Sequence, residues 1–153
     1  MSNQKYHIVT KNKKANFSYL INNTFLAGIQ LHGSEIKSIR DGQINISEAY
    51  CIISDDEVWI KNMDIPKYKF CHQENYNPIR LRKLLLNKIE IRKIRKQLNE
   101  KGMTLIPIEL IITLNGLAKI KIGTGKGKKL YDKRQSLKTR DANLEIKRKK
   151  REK

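Results

Sequence analysis

The stretch GTGKGKK, Gly123–Lys129, invites a phosphate-binding reading, because glycines let backbone amides approach an anion closely while lysines neutralise it. A nucleotide-binding P-loop needs a glycine, four residues, and then Gly-Lys followed by Ser or Thr. Here Ile120 and Ile122 stand where the first glycine belongs, and Gly127 and Lys129 stand where the hydroxyl belongs. The motif fails, and the glycines read instead as a flexible exit from a last strand with lysines beside phosphates. From Gly123 to Lys153 there are thirteen Lys or Arg and four Asp or Glu, a net +9 that is half of the chain's +18. The only large apolar groups there are Leu130, Tyr131, Leu137, Leu144 and Ile146. Too little surface can be buried to offset ordering entropy, so this tail is expected to be disordered alone and to order beside a polyanion.

No other residue set supports catalysis. Cys51 and Cys71 have no metal-type spacing, and the three histidines, His7, His32 and His72, do not cluster. The expectation is reduced structural thiols, no disulfide, no metal and no cofactor. A nucleophile set assembled from His32, Ser34, Asp41 and Cys71 would have nothing in the sequence to hold it together. The fifteen acids, adjacent to one another only at Asp55-Asp56-Glu57, show no metal cluster of the nuclease kind. The chain reads as a binding protein rather than an enzyme.

The elements that must carry the basic surface are short. In 153 residues, 39% hydrophobic and 31% charged, one domain with one core is expected. Alternation from Phe17 to Ile21 and from Phe25 to Leu31 predicts strands, with a turn or bulge at Asn22-Asn23. Gly33-Ser34 opens a short helix with Ser34 as cap, and Asp41-Gly42 ends it. Ala49–Ile53 and Val58–Ile60 form a hairpin around Ser54–Glu57, with Trp59 as a core anchor. Asn77-Pro78 predicts a helix start, the helix running through RLRKLLLNKIEIRKIRKQLNEKG to Gly102. Thr104–Leu114 alternates, with Pro107 at an edge or before regular pairing begins. Asn115-Gly116 predicts a turn with positive φ at both positions, before Ala118–Ile122 returns. Such a pattern suits a small closed or partly open barrel, the oligonucleotide-binding type being the natural candidate for a basic chain, although other small α+β folds fit the periodicity nearly as well. The first fourteen residues lack the apolar core of a signal peptide, and no apolar run approaches the roughly 20 residues of a membrane span. A cytoplasmic, RNA-binding protein is expected.

Taken together, several runs resemble the SsrA-binding protein (SmpB) family from about Asn12 to Asp141: NKKANFSYLINNTFLAGIQLHGSEIKSIRDGQINISEAY, NPIRLRKLLLNKIEI, KGMTLIPIEL, AKIKIG and KGKKLYDKR. The resemblance implies an OB-like antiparallel β-barrel with flanking helices over residues 1–125 and a basic tail over 126–153, disordered when free and helical on the ribosome. It implies a monomer that binds the tRNA-like domain of transfer-messenger RNA and brings it to stalled ribosomes for trans-translation. The tail would probe the empty mRNA channel near the decoding centre. By the same resemblance, Leu85, Asn87, Lys126, Gly127, Lys128 and Lys129 contact RNA, and Tyr131, Asp132, Lys133 and Arg134 contact the ribosome, with Tyr131 stacking on a base. The family often carries Glu in F-E-A-G, where this chain has Leu26. A general ribosome-associated or RNA-chaperone barrel is the alternative reading.

Overall fold

The computed structural model describes residues 5–151, the side chains of Leu130, Tyr131, Asp132, Ser136, Lys150 and Arg151 excepted. The elements run β1 (Tyr6–Lys11), α1 (Lys13–Ser18), β2 (Tyr19–Ile29), α2 (Gly33–Arg40), β3 (Tyr50–Ser54) and β4 (Glu57–Lys61). There follow β5 (Arg82–Leu85), α3 (Lys88–Leu98), β6 (Met103–Thr113), β7 (Ala118–Gly127) and α4 (Leu130–Arg151). All strand pairings are antiparallel. They follow the order β1-β6-β3-β4-β5-β2-β7, and β7 pairs back onto β6, so the pairings form a closed circuit with β1 added outside it.

The inward positions follow the two-residue period. Val58 and Ile60 of β4, Leu84 of β5 and Ile120 and Ile122 of β7 are fully buried. They meet Ile39 of α2 and Ile91 and Ile94 of α3 in one core. Trp59, expected to anchor that core, lies half-buried on the outward side of β4 between Val58 and Ile60, its indole N–H donating to Ser54 O at 3.3 Å.

Several boundaries differ from the sequence expectation for identifiable reasons. β2 is one strand from Tyr19, with a bulge against β7 between Ile21 and Asn23, and Phe17 belongs to α1. The α2 cap is His32 rather than Ser34, its backbone N–H donating to Glu35 Oε1 at 2.8 Å. The largest change is at RLRKLLLN. Asn77 opens no helix; its Oδ1 accepts from Ile79 N in a local turn. Arg82–Leu85 is a strand between β4 and β2, and α3 begins only at Lys88. Three consecutive leucines satisfy a helical and a two-residue period alike, and the partners on both sides decide for the strand. Pro107 sits at a β6 bulge, where its missing N–H costs no ladder bond. Beyond the bulge Leu110 and Ile112 face the core opposite Ile120 and Ala118, while Ile111 is buried on the other face beside Ile8 of β1 and Leu114 is exposed. The β6–β7 loop has positive φ at Gly116 but not at Asn115, with Gly116 N donating to Thr113 O and Thr113 N to Leu117 O. This is a three-residue loop closed by a glycine, not the two-residue turn expected.

Gly123 and Gly125 of GTGKGKK are not a flexible exit. Gly123 and Gly125 are paired with β2 on one side and β6 on the other. A Cβ on Gly125 would lie 2.7 Å from Leu20 O, and one on Gly123 would lie 2.8 Å from Ile108 Cδ1. Backbone cannot give way as a side-chain tip can. Gly125→Ala is expected to cost about 1–3 kcal/mol, seen as a lower urea midpoint with unchanged slope in equilibrium unfolding.

Candidate nucleic-acid interface

A buried ionic cluster fixes where β5 lies. Arg82 and Glu35 are both fully buried. Arg82 Nε donates to Glu35 Oε2 at 2.6 Å, Nη1 to Met63 O at 2.6 Å and Nη2 to Pro78 O at 3.0 Å. Arg80 Nη2 donates to Glu35 Oε1 at 2.6 Å and reaches Gln30 O at 3.3 Å. Burial by itself raises the Glu35 carboxyl. Hydrogen bonds from Arg80, from the His32 N–H and from Arg82, with the Arg82 charge, outweigh it and hold the group below its ordinary value. The cluster thus ties α2, the β4–β5 connection and the start of β5 together. Nothing in the sequence marked Arg82 for an inward position, since a buried arginine breaks the apolar pattern that signals a strand face.

With Arg82 and Leu84 turned inward, Lys83 and Leu85 face outward. Leu85 is 52% exposed. It lies across from Gly28 of β2, where a Cβ would approach Leu85 Cβ to 3.3 Å, so the glycine leaves room for it. Asn87 follows as the cap of α3: its Oδ1 accepts from Glu90 N at 2.8 Å and its Nδ2 donates to Glu90 Oε1 at 3.2 Å. One amide hydrogen and one lone pair remain for a ligand. Leu85 and Asn87 share a groove with Leu26, Leu117 and Lys119. Leu26 and Leu117 are 50% and 59% exposed. Sequence reasoning set Leu26 aside and did not single out Leu117; the β2–β7 register, pairing Gly28 with Lys119, brings both to the groove.

The lysines of GKK are elsewhere. Gly127 pairs with Tyr19, nine residues along β2 from Gly28, a separation of about 30 Å at the usual rise. Lys126 approaches Glu100 at 3.9 Å, and Lys128 donates from its backbone N to Ser18 O and from Nζ to Asn16 O, both at 2.8 Å. Gly127 and Lys129 are exposed. The six residues expected to touch RNA therefore occupy two sites, at opposite ends of the β2–β7 ladder. α4 leaves from the second site beside α1. Lys133 is half-buried and Arg134 exposed on it; the side chains of Tyr131 and Asp132 lie outside the described residues.

The two cysteines differ in their surroundings. Cys51 is buried, which pushes its thiol up, and Cys71 is a free, half-exposed thiol. Among the described residues no three His, Cys, Asp or Glu come together as a metal site, and no helix is long and apolar enough to cross a membrane.

Comparison with known proteins gives one answer. The family model described as SmpB protein matches residues 9–152. The SsrA-binding protein of Cytophaga hutchinsonii is 48% identical over 138 residues, covering 90% of each chain. That of Chlorobium luteolum is 46% identical over 138 residues, covering 90% of this chain and 88% of its own. A solved chain described as "tmRNA-SmpB: a journey to the center of the bacterial ribosome" superposes with a TM-score of 0.68 at 34% identity, covering 84% of this chain and 93% of that one. With strands, groove and tail all inside one matched span, the chain belongs to the SmpB protein family.

Proposed function

We propose that this protein binds the tRNA-like domain of transfer-messenger RNA and delivers it to stalled ribosomes, where trans-translation tags the incomplete product. The relatives are SsrA-binding proteins, and the solved chain is described with tmRNA and the bacterial ribosome. The observation that carries the reading is Leu85, a leucine turned out of the core beside Asn87 in a chain nearly half-identical to proteins of that name. A folded RNA is recognised by shape, phosphates and 2′-hydroxyls, which suits a shallow groove with apolar walls, one free amide hydrogen and a lysine. In this reading the closed circuit of strands is an OB-like barrel, residues 1–125 hold the RNA, and residues 126–153 are a tail. The tail enters the vacant mRNA channel as the helix α4, with Lys126 and Gly127 at the end of β7 and Lys128 and Lys129 after them at its root, and with Tyr131, Asp132, Lys133 and Arg134 near the decoding centre. The protein acts in the cytoplasm, as a monomer and an adaptor rather than a catalyst.

The decisive experiment is purification from cell extract and sequencing of the bound RNA. One abundant structured RNA is expected; bulk ribosomal RNA alone would refute the reading. Two substitutions test the groove. Asn87→Ser keeps a competent helix cap, so stability should move by less than about 0.5 kcal/mol. RNA affinity should fall roughly three- to tenfold, the worth of one hydrogen bond. Leu85→Ala should leave the free protein within about 1 kcal/mol, because half the side chain is already in water, yet weaken RNA binding roughly tenfold. Binding isotherms beside urea titrations separate the two effects.

A further inference from the structure

The solvent face of α3 has no role in the groove described above. Lys88, Arg92 and Lys96 recur every four residues, stacked about 6 Å apart along the axis, with Lys93 beside them. All four are exposed, and among the described residues none has an ion pair. A helix made only to be soluble intersperses acids at this spacing, because like charges four residues apart destabilise it. The one acid of α3, Glu90, is taken up by the Asn87 cap. The apolar stripe of the helix is spent on the core through Ile91 and Ile94, and the exposed Ile89 alone makes no apolar face to lay on lipid. Lys88 and Arg92 share a second groove with Leu86 and Asn87. Its acids, Asp56 and Glu57, are already paired with Arg95 and Lys83.

We propose that this face of α3 is a track for the phosphate backbone of the bound RNA, carrying it from Asn87 along Lys88, Arg92 and Lys96. The inference rests on the RNA-binding reading given above and extends it to a second surface. It assigns the track to position and affinity rather than to choice of sequence, because point charges on phosphates carry no base information.

The test uses the full chain with Lys88→Gln, Arg92→Gln and Lys96→Gln combined. A charge-matched control carries Lys11→Gln, Lys67→Gln and Lys69→Gln, also exposed but outside α3. Affinity for a transcribed tRNA-like domain of transfer-messenger RNA, and for an unrelated hairpin, is measured across a salt series. Each phosphate neutralised contributes about 0.7–0.9 to the slope of log affinity against log salt. The α3 variant should lose about two to three from that slope while the control keeps the wild-type value. An unchanged slope, or an equal loss in both variants, overturns the track. Failure of the wild type to prefer the tRNA-like domain over the hairpin would instead overturn the functional reading, and the slopes on either RNA would still judge the track.

Discussion

Replacing Arg82 with alanine is expected to remove about 3–5 kcal/mol of stability, a large share of the 5–15 kcal/mol typical of a domain. The substitution leaves Glu35 fully buried with only Arg80, itself partly exposed, to oppose its charge. It also orphans the carbonyls of Met63 and Pro78, which Arg82 satisfies. Removing one partner of a buried pair costs far more than the pair contributes net, because the other charge stays in a poor solvent. Breaking the exposed Lys14–Glu48 pair should by contrast cost no more than about 1 kcal/mol. Equilibrium urea unfolding of the two variants checks the difference. Acid should reproduce part of the loss. Glu35 is held below its ordinary value in the folded chain, so its contribution is complete above the unfolded value of about 4.3 and disappears as pH falls through the lower folded value. Glu35→Gln should flatten that acid limb while lowering stability at neutral pH. An Arg82→Ala protein as stable as the parent would mean that β5 is held in place by packing alone.

Ending the chain at Leu130 should abolish tagging on stalled ribosomes while leaving affinity for transfer-messenger RNA within about tenfold at 0.15 M salt. The argument is geometric. The cut removes nearly all of α4, whose described contact with the body is at α1, and keeps the Lys128–Ser18 and Lys128–Asn16 hydrogen bonds that finish β7. The Leu85–Asn87 groove lies at the far end of the ladder and loses no neighbour. What goes is positive charge, which steers any RNA and accounts for the modest fall. Filter binding and an in vitro tagging assay on ribosomes stalled on a truncated message read the two functions separately. If RNA binding falls with tagging, groove and tail do not divide the work.

The strand order could not be read from period alone, yet much of what faces inward could. Ala118, Ile120 and Ile122 alternate with lysines and are buried as that pattern requires. Ile91 and Ile94 face the core one turn apart. RLRKLLLN resisted because its leucines fit two periods and its strand exists only through partners on both sides, Val58 to Ile60 and Gly28 to Ile29. The glycines of GTGKGKK misled for a related reason: a missing side chain looks the same in a sequence whether it grants freedom or admits a neighbour's backbone. Of the groove proposed to hold RNA, Leu85 and Asn87 were named by family likeness. Leu26 and Leu117 become visible only once the β2–β7 register sets them beside the groove.

The closed circuit imposes an order of events on synthesis. The outer edge of β1 aside, the early strands β1 and β2 find their main partners in β6 and β7, roughly the last third of the chain to be made. Until Met103–Gly127 has emerged, β1 has no partner strand and β2 has only the short pairing of Gly28 and Ile29 with β5, and long-range closure of this kind is slow to form. A copy translated from a message broken before that point would be left an open ribbon, unable to shut its own seam and readily degraded. The molecule proposed to bring about the tagging of unfinished proteins is thus one whose own unfinished forms cannot pass for finished.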